Sequence, residues 1–587
     1  MTWSYTHEEC NESKKIRWEI VPYTRGEGLD IGCGGEKAFP HMVGVDNGHH
    51  EQFGYTIKPD MLVKDACVLD KISSQSYDFV YSSHLLEHIE DHKAALKEWW
   101  RIIKPGGHLV LYLPHKDLYP QRKDDGEWKA FHKKHEQEAG RALNELETRL
   151  LCNKFAHERK LKGITEIGKQ FAGTPYGNAD HKHDFCNEDI IEAMREIPGW
   201  DLVENQIRND ADEYSFFQVY RKAKSWSKRE PHAESWRLPK PTKTAGVVRY
   251  GAFGDLMQAS SVFKGLKDAG YHVTVYSSPP GSDVITHDPN IDQMILQDRD
   301  QVPNGNLGEF WAYIAKKYDK FINLSETVEG LFLAQPDTRN HRWPHEVRHK
   351  YMNGNYVEFQ HELAGIPYTK PHSHFYATDE EKAWARRERK KYGDFVILWS
   401  LAGSSVHKFW PYFDQIVARI MLEYKNATVI TVGDSLAEML EKGWENERRV
   451  VRKCGKWTIR ESLSFLEQCD VVVGPETGVL NAAAMMPMRK VILLSHSSVN
   501  NLTRDWVNTV SLTPTDTPCY PCHMMHYNWK HCHQSADDSC EACAQNKKEL
   551  GGQACQIHTG AALCQTHIHP SRMWDAIREY LDERRAA

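Results

Sequence analysis

The sequence of 587 residues has no run of about 18 consecutive apolar residues, so it offers no segment for a transmembrane helix. Its first residues, MTWSYTHEECNESKKIRWEI, lack the basic and then apolar pattern of a signal peptide, and we therefore expect a cytoplasmic protein. It also lacks a strong excess of one charge. A net charge of −7 gives no general attraction for phosphate backbones, which disfavours binding to nucleic acid.

The chain is long enough for several domains, because single domains usually stop growing near about 250 to 300 residues. Residues 1–221 alternate short apolar runs with helical patterns, which is typical of a mostly parallel α/β sheet. Residues 222–245 are charged and proline-containing and are interpreted as a linker. Two further α/β subdomains are predicted over residues 246–385 and 386–587. The predicted fold class is therefore α/β, with one Rossmann-like domain followed by a pair of Rossmann-like subdomains.

A strand that runs into glycines, GLDIGCGG at residues 28–35, is the first candidate site. Gly32 and Gly34 follow Asp30 in a G-x-G-G spacing, which disfavours the longer glycine turn of dinucleotide sites. The next apolar run ends in Asp46, whose carboxylate is suited to a ribose, and Asp65 could face an adenine amino group. The alternative is that these aspartates are turn residues or helix caps.

Residues 28–114 resemble the class I S-adenosylmethionine-dependent methyltransferases, particularly their sugar and small-molecule branch. The resemblance rests on LDIGCGG, GVD, SSHLLEHIED and RIIKPGGHLVLYLP. It implies S-adenosylmethionine as cofactor, with Gly32 and Gly34 beneath the methionine and ribose, and with Asp46 on the ribose. It also implies that Asp65 neighbours the adenine and that the residues from Ser82 to His84 line the methionine end.

Methyl transfer is an in-line displacement that depends mainly on positioning, and a base is needed only for a hydroxyl acceptor. The candidate bases are His84, Glu87, His88, His115 and His183, and we predict His84 and His88 as the catalytic pair. Their i, i+4 spacing suggests a shared helix face. We do not predict a metal there, because the H-E-x-x-H motif is absent. Residues 116–180 form a charged, helix-rich insertion that either covers the acceptor pocket or is a solvated helical hairpin.

Three separated motifs mark the second half. In the first, VVRYGAFGDLMQ, Asp255 lies at a strand-to-helix junction, where it is either a base or a helix cap. In the second, a loop of small residues with Ser404, Ser405 and Lys408 suits a diphosphate. In the third, the tripeptide Glu476–Gly478 follows a buried strand and precedes a helix.

Residues 246–585 resemble the family 9 glycosyltransferases, which include the lipopolysaccharide heptosyltransferases, through YGAFGDLMQAS, LAGSSVHKFWP and VVVGPETGVLNAAAM. The resemblance implies a GT-B fold and inverting, metal-independent transfer from a nucleotide sugar similar to ADP-heptose. It assigns Asp255 as general base, Ser404, Ser405 and Lys408 to the donor diphosphate, and Glu476, Thr477 and Gly478 to the donor pocket. Two positions depart from the usual pattern: Glu476 replaces an Asp, and Asn481 replaces a His. They leave the identity of the donor open.

Seven of the fourteen cysteines lie between residues 519 and 564. Cys519-x-x-Cys522 and Cys540-x-x-Cys543 have the spacing of zinc ligands, so we predict a structural zinc site. Reduced thiols, or disulfides in an oxidising compartment, are the alternatives.

The combined prediction is a bifunctional enzyme that transfers a sugar from a nucleotide donor and O-methylates a sugar of a glycan or glycolipid. Two alternatives stay open. The glycosyltransferase-like half could be a non-catalytic glycan-binding module, or the target could be a nucleobase or a protein.

Overall fold

A computed structural model gives the fold of the chain. It describes residues 12–48, 58–118, 126–158, 181–209, 213–224, 233–237, 241–325, 327–368, 373–405, 407–526 and 561–586. The chain divides into two compact units. The first comprises Met1–Lys240 with Gln297–Lys316, and the second comprises Pro241–Leu296 with Lys317–Ala587.

The first unit is built on one sheet of seven strands in the order β3-β2-β1-β4-β5-β7-β6. These strands are β1 Gly28–Ile31, β2 Val43–Asp46, β3 Met61–Leu62, β4 Tyr77–Ser83, β5 Ile103–Pro114, β6 Trp200–Arg208 and β7 Ser215–Lys222. Strands β1 to β5 are parallel, whereas β7 runs antiparallel to both of its neighbours. The carboxyl ends of β1, β2 and β4 therefore meet at one edge of the sheet, where the predicted cofactor residues lie.

Helices and a continuous apolar core cover this sheet. The helices of the unit are Ser13–Ile16, His92–Ile102, Gly126–Ala139, Glu145–Glu158, Asn187–Met194 and Leu307–Ala315, with short 3-10 turns at Val21–Tyr23, Leu86–His88, Ser235–Arg237 and Asn304–Asn306. Asp91 caps the helix His92–Ile102 by accepting a hydrogen bond from Ala94 N at 2.9 Å. That helix buries Trp99 and Leu96 against the strands.

Residues 297–316, which lie within the predicted acceptor subdomain 246–385, pack instead within the first unit. The Gln301 side-chain amide donates to the carbonyl oxygens of Val21 at 2.7 Å and Thr24 at 3.1 Å, and all three residues are buried. Arg25 forms an ion pair with Asp298 at 2.9 Å. Buried hydrogen bonds of this kind attach the segment to the unit, and no sequence pattern indicates them.

The predicted linker also contains ordered structure. The amide of Leu202, in β6, donates to the carbonyl of Ala233 at 2.9 Å, and Ser235 Oγ donates to Asp201 at 2.9 Å. Part of the charged stretch therefore continues the edge of the first sheet. The other domain boundaries remain predictions.

The second unit contains two fully parallel sheets. The smaller has the order β10-β9-β8-β11, and the larger has the order β14-β13-β12-β15-β16-β17. The strands are β8 Thr244–Val248, β9 His272–Ser277, β10 Gln293–Leu296, β11 Lys320–Asn323, β12 Phe395–Ser400, β13 Ala427–Val432, β14 Val450–Arg452, β15 Val471–Pro475, β16 Arg489–Leu493 and β17 Thr509–Leu512. Two parallel sheets with helical crossovers are the paired Rossmann-like architecture of GT-B proteins, so the predicted fold class is confirmed.

The helices of the second unit complete the crossovers. They are Phe253–Asp268, His345–Met352, Tyr356–Ala364, Asp379–Arg389, Phe413–Glu423, Ile459–Ser464, Gly478–Ala483, Leu563–Thr566 and Pro570–Ala586, with 3-10 turns at Gly281–Ile285, Asn340–Arg342, Leu436–Glu441 and Leu466–Gln468. In the described ranges, none of these helices or those of the first unit has the length and apolar character needed to cross a membrane.

Candidate active sites

The glycine turn after β1 has the backbone geometry that the sequence predicts. Gly32 and Gly34 have φ angles of 79° and 57°, in the left-handed region that favours glycine. A Cβ at Gly32 would lie 2.8 Å from Leu85, whereas the described residues leave open space within 4 Å of a Cβ at Gly34. The turn is therefore closed on one side and open on the other, as a ligand-binding turn requires.

Two buried carboxylates hold this turn. Asp30 accepts a hydrogen bond from Ala38 N at 2.7 Å, and burial raises its pKa to about 7. Asp46 accepts from Gly34 N at 3.1 Å and from Gly48 N at 2.9 Å. A cavity of about 230 Å³ lies beside the turn and is lined in part by Cys33, Gly34 and Asp60. Asp46 thus joins the ends of β1 and β2 next to open space.

Two other predicted cofactor residues, Ser82 and Asp65, make hydrogen bonds away from the glycine turn. Ser82 is buried, and its hydroxyl donates to the carbonyl of Ile31 at 2.9 Å, so it links β4 to β1. Asp65 is exposed and accepts a hydrogen bond from Cys67 N at 2.8 Å. Neither contact reaches the glycine turn, and the roles of both residues stay predictions.

His84 and His88 do not share a helix face, and that interpretation of their spacing was wrong. His84 follows β4 with φ 49°, while a 3-10 turn covers only Leu86–His88. His84 Nε2 lies 3.1 Å from Ser215 Oγ and its Nδ1 lies 3.7 Å from Glu87. Burial lowers the pKa of His84 well below its usual range, so its imidazole is neutral. The sharp turn after β4 brings both histidines to the same edge as Asp46, but on separate elements.

Asp255 in the second unit is both a helix cap and part of a charge network. It lies in the first turn of the helix Phe253–Asp268 and accepts from Ala252 N at 2.8 Å. The guanidinium of Arg249 lies 3.1 Å from Asp255 and 3.1 Å from Glu329. Arg249 is fully buried, and the sequence prediction overlooked it and Glu329. Arg249 therefore orients Asp255 at the carboxyl end of β8.

Lys408 is buried in the loop after β12, next to both predicted carboxylates. Burial lowers its pKa, while the charges of Glu476 and Asp255 act in the opposite direction. Among the described residues its ammonium has no hydrogen-bond partner. Gly403 makes room for it, since a Cβ there would lie 2.7 Å from the Lys408 side chain. Asp255, Lys408 and Glu476 thus come together from three separate sequence motifs.

The two predicted serines of the same loop differ in their exposure to solvent. Ser404 is exposed. Ser405 is buried, and its hydroxyl donates to the carbonyl of His526 at 2.9 Å and lies 2.5 Å from His407 Nδ1. The contacts of Ser405 are therefore internal to the protein, whereas Ser404 faces solvent.

Glu476 is buried in an ion pair with His496 Nδ1 at 2.5 Å and accepts from Ser495 N at 2.8 Å. Burial raises its pKa, but the charges of His496 and Lys408 and the hydrogen bonds outweigh this effect, so the net shift is downward. Thr477 Oγ1 lies 3.2 Å from Ser400 Oγ at the end of β12. The carboxylate that replaces the usual aspartate is thus ionised and fixed.

The helix Gly478–Ala483 packs directly on the start of the helix Phe253–Asp268. A Cβ at Gly478 would lie 2.6 Å from Phe253 Cβ and 3.4 Å from Gly254 N. Behind this contact, Gln258 donates to Asn481 Oδ1 at 3.0 Å. Gly478 and Asn481 therefore hold together the two halves of the second unit that carry Asp255 and Thr477.

Only half of the predicted zinc ligands lie in the described residues. Cys540 and Cys543 fall outside them. Cys522 is buried with its sulfur 3.7 Å from His526 Nε2, and the donor atoms of His407, Cys522 and His526 all lie within 4.8 Å of one another. Cys519 is half-buried and packs near Cys522 without joining this group. The set therefore differs from the predicted four cysteines, although sulfur and imidazole are zinc ligands.

Comparisons with known proteins found similarities for both units. Residues 29–111 match the family model described as a methyltransferase domain. The fold is similar to the family 9 glycosyl transferase from Veillonella parvula, at 16% identity over 48% of this chain and 89% of that one, with a TM-score of 0.38. It is also similar to ADP-heptose lipopolysaccharide heptosyltransferase II from E. coli, at 13% identity over 58% and 99%, with a TM-score of 0.39.

A third similarity is to a Haloferax volcanii complex of the Trm112 activator with a putative methyltransferase, at 17% identity over 36% of this chain and 89% of that one, with a TM-score of 0.21. No curated protein is significantly similar to the chain. Residues 29–111 thus match a methyltransferase domain, and the second unit has a GT-B-type fold.

Proposed function

We propose that the chain is a bifunctional transferase that O-methylates a sugar in its first unit and transfers a sugar from a nucleotide donor in its second unit. The observation that carries the second activity is that the three motifs with Asp255, Lys408 and Glu476 meet in the structure. A Cβ at Gly403 would lie 3.3 Å from Thr477, and a Cβ at Gly254 would lie 3.2 Å from Asn481. The acceptor would be a glycan or glycolipid, and the cytoplasm remains the predicted location.

In the first unit, the residues fit S-adenosylmethionine, which would supply an activated methyl group. The open side of the turn at Gly34 gives space for its methionine and ribose, and Asp46 lies where it could accept hydroxyl hydrogen bonds. Since methyl transfer depends on alignment, the main task of the site is to hold the acceptor oxygen in line. His84 stays the proposed base for the hydroxyl proton, although burial lowers its pKa and makes it a weaker proton acceptor.

Calorimetric titration with S-adenosylmethionine tests this assignment. We expect binding by the full chain and a loss of about 10-fold or more in Asp46→Asn, because a charge-assisted hydrogen bond contributes about 1.5–3 kcal/mol. Asp117→Asn is a surface control outside the turn. Equal affinity in the wild type and Asp46→Asn would contradict the assignment.

In the second unit, Asp255 would deprotonate the acceptor hydroxyl, and Lys408 would stabilise the charge that develops on the departing diphosphate. A preorganised cation in a buried site stabilises such charge far more than one in water. Arg249 orients Asp255, and Glu476 fixes the loop after β15 through His496. We propose an ADP-sugar as donor, which is the part of the assignment that rests on the sequence resemblance.

Release of nucleoside diphosphate from a panel of nucleotide sugars tests this activity. Asp255→Asn should lower kcat by about 10²- to 10⁴-fold, the usual contribution of general base catalysis. Its matched control is Asp283→Asn, a carboxylate in the turn Gly281–Ile285 outside the charge network. A chain that binds donors and glycans without any turnover would instead support the non-catalytic module, and full activity of Asp255→Asn would refute the base.

We also propose a structural metal, zinc being the predicted ion, at His407, Cys522 and His526. His407 adjoins Lys408, and its ring stacks on His496 at 5.2 Å, so the site would fix the loop that carries Lys408. Metal analysis of the purified chain before and after Cys522→Ser tests this. Unchanged zinc content would refute it.

A further inference from the structure

Three side chains at the edge of the first sheet form a cluster that neither the cofactor nor the glycosyl transfer uses. Glu87 and His88 lie in the 3-10 turn after β4, and His181 follows the insertion. Their donor atoms, one from each residue, all lie within 4.8 Å of one another. His181 lies more than 90 residues after the other two in sequence, so the fold itself brings it to them.

Glu87 is an unusual member of this cluster because it is completely buried. Its side chain is 1% exposed, and among the described residues neither carboxylate oxygen has a hydrogen-bond partner. The nearest cationic or imidazole nitrogens are His84 Nδ1 at 3.7 Å and His88 Nε2 at 3.9 Å. A buried carboxylate without hydrogen bonds is costly, and a bound cation would offset that cost.

The backbone holds His181 against this carboxylate. The carbonyl oxygen of Glu87 accepts hydrogen bonds from Lys182 N at 2.7 Å and from His183 N at 3.1 Å. The ring of His181 then lies edge-on to that of His88, with centroids 4.8 Å apart. His183 points elsewhere, with its Nε2 3.0 Å from the carbonyl of Glu90. The segment thus presents one imidazole to the cluster and directs the other away.

The geometry suits a metal ion after a small contraction. Ligand atoms about 2.1 Å from a zinc-sized ion lie about 3.4 Å apart in a tetrahedron. The 3.9 Å between His88 Nε2 and Glu87 Oε1 is within about 0.5 Å of that value. Two imidazoles and one carboxylate favour first-row transition metals over Mg²⁺ or Ca²⁺, which prefer oxygen ligands.

We propose that Glu87, His88 and His181 bind a divalent first-row transition metal ion in the methyltransferase unit. Three protein ligands leave coordination positions open for further ligands. The open positions would take the hydroxyl oxygens of the acceptor, which rests on the proposed methyl transfer to a sugar. A bound ion would lower the pKa of such a hydroxyl, so this assignment replaces the base role predicted for His88.

Cobalt titration of the metal-stripped full chain tests the site, because Co²⁺ gives absorption bands that depend on its ligands. We expect one equivalent with d–d bands and no thiolate charge transfer, in addition to any cobalt bound at Cys522. Performing the titration in a Cys522→Ser background removes that second contribution. His181→Ala and Glu87→Gln should each lose the equivalent, whereas His183→Ala, on the same segment, should keep it.

Glu87→Gln preserves the shape of the side chain, and circular dichroism with S-adenosylmethionine titration verifies that the variants are folded. Folded His181→Ala or Glu87→Gln that binds as much cobalt as the parent would overturn the site. A failure of the proposed methyl transfer would give a different result from a failure of the metal site. If cobalt binding depends on these residues but no sugar acceptor is methylated with S-adenosylmethionine, the metal site stands and the proposed methyl transfer falls.

Discussion

Replacement of Gly478 by alanine tests how the two halves of the second unit meet. The added Cβ would lie 2.6 Å from Phe253 Cβ, whereas carbon atoms pack at about 3.5–4.0 Å. Both groups lie at helix starts, Gly478 at the beginning of Gly478–Ala483 and Phe253 at the beginning of Phe253–Asp268. Neither atom is the end of a flexible side chain, so the helices must separate by about 1 Å.

This separation has two measurable consequences. Overpacking of this kind costs about 1–3 kcal/mol, so the melting transition of the second unit should fall by several degrees. Asp255 is two residues from Phe253, and Thr477 precedes Gly478, so the same shift moves the proposed base relative to the donor pocket. A displacement of about 1 Å can cost about 10²-fold in rate. Scanning calorimetry and diphosphate release measure the two effects.

A suitable control is Gly308→Ala, in the helix Leu307–Ala315, where no described atom lies within 4 Å of the added Cβ. Alanine in a helix is favoured over glycine by up to about 1 kcal/mol, so this variant should melt no lower than the wild type. Gly478→Ala with wild-type melting and wild-type sugar transfer would show that the close approach of the two helices is wrong.

Three further predictions concern buried groups. Because burial raises the pKa of Asp30 to about 7 from 3.8, the stability it contributes below pH 4 is lost as the pH rises through 7. The contribution of Asp30 to the stability of the first unit should therefore fall by up to roughly 4 kcal/mol between pH 4 and 8. Asp30→Asn should reduce the pH dependence of melting by that share, and a slope parallel to that of the wild type would refute it. Lys408→Met should lower kcat of sugar transfer by about 10²- to 10³-fold, while the control Lys490→Met should leave kcat unchanged. Equal effects of the two substitutions would refute the role of Lys408 in stabilising the departing diphosphate. Cys522→Ser should also lower sugar transfer through the Lys408 loop while leaving binding of S-adenosylmethionine intact, and loss of both would indicate general unfolding.

The parts of the fold that follow from local pattern were predictable. The runs YDFVYSS and FVILWS coincide with β4 Tyr77–Ser83 and β12 Phe395–Ser400, because strands buried on both faces are continuous apolar runs. The glycines at 32 and 34 were likewise predictable, since a tight turn after a strand requires positive φ. The match of residues 29–111 to a methyltransferase domain confirms the interpretation of the same motifs.

Contacts between distant residues were not predictable. The i, i+4 spacing of His84 and His88 suggested a helix, but the left-handed residue His84 ends the strand abruptly and places them on different elements. The partner of His88 is His181, and that of Cys522 is His407, 115 residues before it in the chain. No single-sequence period spans such separations, and only the tertiary fold determines which imidazoles meet.

Lys490 and Lys408 are both buried in the second unit, but their ammonium groups differ in their hydrogen bonds. Lys490 is fully buried, and its ammonium donates to the carbonyl oxygens of Met486 and Met488, at 2.5 and 3.0 Å. The protein therefore satisfies that charge internally. Lys408 is almost as buried, but in the described residues its ammonium donates to no group, although the charges of Glu476 and Asp255 act on it.

The charges of Glu476 and Asp255 offset part of the cost of burying the Lys408 side chain, while the structure describes no hydrogen bond of its ammonium. A diphosphate would bring further negative charge and acceptor oxygens for that ammonium. The same reasoning applies in the first unit with the sign reversed, where the carboxylate of Glu87 lacks a cation. Glu87 follows β4 and Lys408 follows β12, so each lies beyond the carboxyl end of a parallel strand, where α/β sheets bind their ligands.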